Sequence, residues 1–136
     1  MESTPLTAHD LKGKRGLARL VSAFRNSIVG FRHAYATEDA FRQELLLLAV
    51  GIPLSIALPV TALEHLVLVI SMIFVLVVEI LNTAIESTVD RISFERHPLA
   101  GKAKDLGSSA VLLSLVMTGL CWVVIAGPVV LGWFRR

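Results

Sequence analysis

Three stretches of this chain are almost free of charge: Leu45 to Leu63, Leu66 to Val78 and Leu106 to Phe134. An α-helix needs about 20 apolar residues to cross roughly 30 Å of hydrocarbon. The first and third stretches meet that length, and the second reaches it once its helix continues through Glu79, Ile80 and Leu81. Inside lipid, each backbone N–H and C=O must find a partner within its own segment, so an isolated apolar run of this kind has to be helical. The chain is therefore expected to be an all-α membrane protein with three transmembrane helices. Composition agrees. Hydrophobic residues make up 54% of the chain and the mean hydropathy is +0.71, whereas soluble domains usually contain about 45–50% apolar residues.

The net charge of +2 says less than its distribution. Lys12, Lys14, Arg15, Arg19, Arg25, Arg32 and Arg42 precede the first span, and Arg91, Arg96, Lys102 and Lys104 separate the second from the third. The turn between the first two spans has no Lys or Arg, and only Arg135 and Arg136 follow the third. Basic loops stay on the cytoplasmic side. This predicts a multi-pass membrane protein with its N-terminus cytoplasmic and its C-terminus outside. Three spans satisfy the asymmetry, whereas two or four would not. The basic groups then face membrane lipids, and no nucleic-acid partner is expected.

Residues 1–15, with Pro5 and Gly13, read as a flexible cytoplasmic tail, and residues 16–136 as one membrane domain. From about 16 to 36, Leu17, Leu20, Val21, Phe24, Ile28, Phe31 and Tyr35 recur at helical spacing, with Arg19, Ser22, Arg25, Asn26, Arg32 and His33 on other faces. This pattern predicts an amphipathic helix lying in the membrane interface. A soluble helix packed on a partner is the alternative, and continuity with a span favours the interface. Thr37 is the expected N-cap of the next helix, with Glu38 and Asp39 in its first turn. Spans are expected at about 40–60, 65–90 and 104–133. Pro53 falls inside the first, an outer turn runs from Pro59 to Glu64, and Arg91 to Lys104 forms a polar connection containing Pro98 and Gly101. The lone Cys121 reads as a small apolar side chain.

The chemistry concentrates at one level. Glu79, Asn82 and Glu86 stand at i, i+3 and i+7, so a helix turning about 100° per residue brings them to one face. Ionisable groups at such a depth cost about 2.5 kcal/mol or more each, so they need partners, water or a bound ion. Glu38 and Glu44 start the first span, Asp90 follows Glu86, and Glu95, Lys104 and Asp105 flank the third. Antiparallel helices would gather all of these at one interface. Carboxylates suit Mg²⁺, which combines one or two of them with phosphate oxygens and water. Lys104 and the arginines can neutralise phosphate, and Glu79 is placed to act as general base toward a lipid hydroxyl. Other readings remain open at this point. Glu86 and Asp90 could be solvated, Asn82 could be an interhelical hydrogen-bonding group, and Lys102 and Lys104 could serve only to orient the chain. The chain has no G-x-x-x-x-G-K-[ST] phosphate loop, no zinc-ligand spacing and no arguable Ser-His-Asp set. A non-enzymatic channel subunit or assembly factor is disfavoured, because the outer halves of the spans are apolar apart from Ser55, Ser114 and Thr118.

Several segments carry a resemblance. They are Ala40-Phe41-Arg42-Gln43-Glu44, the block from Val78 through Glu86, Val89-Asp90-Arg91-Ile92, and Gly101-Lys102-Ala103-Lys104-Asp105-Leu106-Gly107-Ser108. In order and spacing the chain resembles the bacterial integral-membrane diacylglycerol kinases, a group that also contains undecaprenol kinases. The resemblance implies ATP-dependent phosphorylation of diacylglycerol to phosphatidic acid, with Mg²⁺ as cofactor. It also implies a homotrimeric helical bundle whose sites are shared between subunits. It assigns Glu79 as catalytic base, Asn82 as an organiser of the same site, and Glu38 and Glu86 as Mg²⁺ carboxylates near the nucleotide. Arg19, Glu95, Lys104 and Asp105 would contact the nucleotide, as would Asn26, which stands where the family pattern has a tyrosine. The surface helix would line the lipid entry through Arg19, Ala23, Ile28, Arg32 and Tyr35, with Glu44, Glu79 and Ser108 also meeting the lipid. Diacylglycerol is preferred over undecaprenol because the Phe-Arg-Gln-Glu segment and the third-span junction look closer to that branch.

Overall fold

The computed structural model describes residues 16–92 and 97–135. The expected tail at 1–15 and Glu95 lie outside the described residues. The described chain contains four helices: α1, Leu17–Thr37; α2, Asp39–Ala57; α3, Ala62–Ile92; and α4, Pro98–Phe134. Of these, α2, α3 and α4 are long and apolar enough to cross a membrane. The chain parts into two units between Ala36 and Thr37, so α1 is described by itself.

The three apolar helices are arranged around α3, which packs on both α2 and α4. Three contacts give the register of α3 against α4. Lys104 pairs with Asp90, Gly107 abuts Asn82, and Thr118 donates to the Ser71 carbonyl at 2.9 Å. Residue numbers rise along α4 as they fall along α3, so the two are antiparallel. On the other side Ser55 meets His65 at 3.1 Å and Gly51 abuts Met72, so α2 and α3 form an antiparallel hairpin. Leu68, Met72, Val75, Glu79 and Asn82 are buried along α3. Their alternating steps of four and three are those of a seam between helices lying alongside one another.

The α2–α3 hairpin is closed by short-range bonds. The Thr61 N–H and hydroxyl both donate to Glu64 Oε2 at 2.7 Å, and the Glu64 N–H donates back to Thr61 Oγ1 at 3.3 Å. Reciprocal bonds of this type satisfy helix N-terminal donors that otherwise have no partner. The turn between α2 and α3 is therefore shorter than expected, and Glu64 and His65 belong to the first turns of α3. Pro53 lies inside α2 and Pro128 inside α4, as membrane helices tolerate.

Two local expectations are corrected. Thr37 is the last residue of α1, not the cap of α2. Glu38 occupies the cap position in extended backbone, with φ −106° and ψ 114°, and Thr37 Oγ1 donates to Glu38 Oε1 at 2.9 Å. The helix following the polar connection begins at Pro98, well ahead of Lys104. A proline at the first helical position loses no hydrogen bond, because its missing N–H would have no intrahelical acceptor. His97 caps that end by accepting the Leu99 N–H at 3.2 Å. Lys102, Lys104 and Asp105 therefore lie on a helix and have fixed directions around it.

Candidate functional site

The seam of α3 turns polar at one end of the hairpin. At about 1.5 Å per residue, α3 is about 46 Å long, so one end must project beyond the roughly 30 Å of hydrocarbon. Glu79, Glu86 and Asp90 lie in its C-terminal half. Glu79 is only 5% exposed and Asn82 9%, while Glu86 one turn further on is half-buried. Asn82 Nδ2 donates to Glu86 Oε1 at 3.2 Å. An ionised carboxylate only accepts, so the amide nitrogen must face Glu86 and Oδ1 must face away. Oδ1 is buried against Gly107 of α4 and has no hydrogen-bond partner. Leaving such a group unsatisfied costs about 1–3 kcal/mol.

Other carboxylates gather around Glu79. The charges of Glu38 and Glu86 both act on it, and its own charge acts on Glu44. Glu44 is buried on α2, and its Oε2 has no partner. Asp90 is held by Lys104, with Nζ to Oδ1 at 2.5 Å, about half of each side chain remaining exposed. The Lys104 charge also reaches Glu86. Asp105 and Ser108 are exposed on α4. Thus Glu38, Glu44, Glu79, Asn82, Glu86, Asp90 and Lys104 come together, while Glu95 lies outside the described residues. Like charges this close need a cation, a proton or water between them. Among the described residues, no three His, Cys, Asp or Glu side chains converge tightly enough to hold a metal ion alone. The donor set fits Mg²⁺ as that ion is commonly held, by one or two carboxylates with phosphate oxygens completing the shell.

A groove of about 370 Å³ runs from Glu44 along the bundle, between α2 and α4 and over α3. Leu47, Val50, Met72, Val75 and Leu115 line it, and Trp122 stands further along. Gly51 lets Met72 and the Trp122 ring approach α2 closely. A Cβ there would overlap Met72 Sδ and lie 3.5 Å from the indole.

On α1, the helical turn of about 100° per residue puts Arg19, Ala23 and Asn26 on one side and Ile28, Arg32 and Tyr35 on the other. Sequence reading gave Gly107 no role of its own and treated Asp90 and Lys104 as separate groups. The spacing signal for that pair existed, but it depended on where α4 begins.

Comparison with known proteins bears on the whole arrangement. The family model described as prokaryotic diacylglycerol kinase matches residues 25–126. A Pseudomonas aeruginosa protein named diacylglycerol kinase is 44% identical over 114 residues, covering 84% of this chain and 93% of the relative. A Haemophilus influenzae protein of the same name is 40% identical over 107 residues, covering 79% of this chain and 91% of the relative. The Escherichia coli K12 protein of that name is 40% identical over 110 residues, covering 81% and 90%. The matched stretch takes in α2, α3 and most of α4, including every candidate residue except Arg19 and Ala23. On this extent of similarity, the chain belongs to the prokaryotic diacylglycerol kinase family.

Proposed function

We propose that this chain is an ATP-dependent diacylglycerol kinase that forms phosphatidic acid at the cytoplasmic face of a bacterial inner membrane. The observation that carries the reading is the Glu79–Asn82–Glu86 stripe, buried at Glu79 and Asn82 and half-buried at Glu86, lying within a family match that runs from 25 to 126. Glu79 is the general base. Its carboxylate takes the proton of the lipid's primary hydroxyl as that oxygen bonds to the γ-phosphorus of ATP. The bond from γ-phosphorus to the bridging oxygen breaks, and ADP leaves with the electron pair. The nucleophile belongs to the substrate, so the protein needs to position and neutralise charge more than to react. Glu38 and Glu86 would hold Mg²⁺ together with the nucleotide phosphates, and the ion would supply charge neutralisation there. Asn82 steadies Glu86. Lys104, Asp105, Glu95, Arg19 and Asn26 bind the nucleotide.

The groove beside Glu44 supports an apolar substrate. Its volume lies in the range of about 300–1,000 Å³ usual for ligand sites, and its wall is almost wholly hydrocarbon. The amphipathic α1 lies in the interface, with Ile28, Arg32 and Tyr35 toward lipid, and Ala23 on α1 and Ser108 on α4 each meet lipid. The charge asymmetry of the loops supports a cytoplasmic N-terminus and an outer C-terminus. A homotrimer with shared sites rests on the family resemblance.

The test is a phosphorylation assay of purified protein in mixed micelles with Mg²⁺ and ATP. Diacylglycerol and undecaprenol are supplied at matched concentration. Faster turnover of diacylglycerol is expected. Faster turnover of undecaprenol would replace the substrate, and turnover of neither would remove the kinase reading.

A further inference from the structure

We propose that Gly107 is a positioning residue for the reaction inferred above. By presenting no side chain where α4 crosses Asn82, it holds the Asn82 carboxamide in the orientation that fixes the Glu86 carboxylate. This rests on the diacylglycerol kinase reading and assigns a role to a residue outside the carboxylate cluster. Gly107 is buried, and a Cβ built on it would overlap Asn82 Oδ1 and stand 3.3 Å from Cγ. The overlap is with the carboxamide alone, since Asn82 Cα stands 3.9 Å away in ordinary van der Waals contact.

The position differs from the other glycines of its helix. Added Cβ atoms at Gly101, Gly119, Gly127 and Gly132 meet nothing within 4 Å. Glycine inside a helix costs about 0.5–1 kcal/mol relative to alanine, so a buried one needs a reason. At Gly51 the nearest atoms are the thioether end of Met72, which is flexible and can move aside. Asn82 has no such slack. Its side chain is short, and its Nδ2 is committed to Glu86 Oε1 at 3.2 Å. Turning the amide away from a Cβ at 107 would break that bond, and Glu86 would lose the donor that orients it. Gly107 therefore acts on the metal carboxylate through one intervening side chain.

The experiment compares wild type, Gly107→Ala, Asn82→Ala, the double variant and Gly127→Ala, reconstituted in nanodiscs. Mn²⁺ binding in the presence of a non-hydrolysable ATP analogue is followed by electron paramagnetic resonance, alongside turnover and the KM for diacylglycerol. Gly107→Ala is expected to weaken Mn²⁺ binding about tenfold, the low end for groups that orient metal ligands, with the lipid KM unchanged. The double variant is expected to match Asn82→Ala, because removing the carboxamide makes room for the methyl group. Gly127→Ala, where an added Cβ meets nothing within 4 Å, should bind as wild type. Wild-type Mn²⁺ affinity in Gly107→Ala would overturn the proposal, as would additive losses in the double variant or a shift confined to the lipid KM. If Gly107→Ala fails to assemble, a double variant that folds and binds like Asn82→Ala supports the steric route. Failure of both would make Gly107 a packing residue only. An inactive wild type would instead refute the kinase reading, so the two failures are distinguishable.

Discussion

Glu79 and Glu86 share one helical face, two turns apart, and differ in surroundings. Glu79 is buried among other carboxylates, whereas Glu86 is half-buried and receives the Asn82 amide. That difference suits a base at lipid level and a metal ligand nearer the nucleotide. Glu79→Gln preserves shape and removes the proton acceptor. It is expected to lower turnover by about 10²–10⁴, the usual contribution of a general base, with an unchanged thermal unfolding profile in detergent. Near-normal phosphorylation in that variant would remove Glu79 from the role. Glu38→Ala and Glu86→Ala are expected to raise the Mg²⁺ concentration needed for half-maximal rate. A Mg²⁺ titration that does not move would exclude both as ligands. The stripe itself was legible in the sequence, because an acid, an amide and an acid at i, i+3 and i+7 on an apolar run have few innocuous explanations. The contact with Gly107 was not, since it depends on the register between two helices and no local pattern encodes that register.

The helices show why some boundaries could be read and others could not. Apolar length identifies α2, α3 and α4 as candidate spans directly. The start of α4 is harder, because Pro98 and Gly101 elsewhere break helices. Only the geometry of the first turn, with His97 as cap and Pro98 following it, makes them compatible with one. Similarly, Thr37 has the chemistry of a cap, but a single extended residue, Glu38, separates α1 from α2. At the opposite end of the bundle, the Thr61–Glu64 bonds and the Ser55–His65 contact fasten the α2–α3 hairpin. Thr61→Ala removes the capping hydroxyl and is expected to lower stability by about 1 kcal/mol, read as a lower unfolding midpoint in detergent. Because this end carries none of the candidate site, turnover at a temperature where both proteins are folded should be unchanged. A fall in turnover with no loss of stability would mean that the hairpin takes part in the reaction.

For the whole molecule, the question is whether one chain supplies a complete site. The α2–α4 unit gathers the proposed base, the proposed metal carboxylates and Lys104, and Asp105 lies on the same unit. The remaining nucleotide candidates on α1, Arg19 and Asn26, belong to the other unit of the chain. If the active protein is a trimer with shared sites, α1 can serve a neighbouring subunit. Complementation distinguishes the arrangements. Glu79→Gln lacks the proposed base, and Arg19→Ala lacks a proposed phosphate contact on α1, so each is expected to be impaired alone. Unfolding and refolding them together in equal amounts randomises the subunits. A site built across two subunits then receives Glu79 from one and Arg19 from another in about a quarter of cases, as follows for a cyclic assembly with one such interface per subunit. Turnover should rise toward that fraction of the wild-type value. A site contained in one chain gains nothing from mixing, because each chain carries its own defect. Activity that stays at the average of the two separate variants would therefore place α1 with its own α2–α4 unit and remove the shared site.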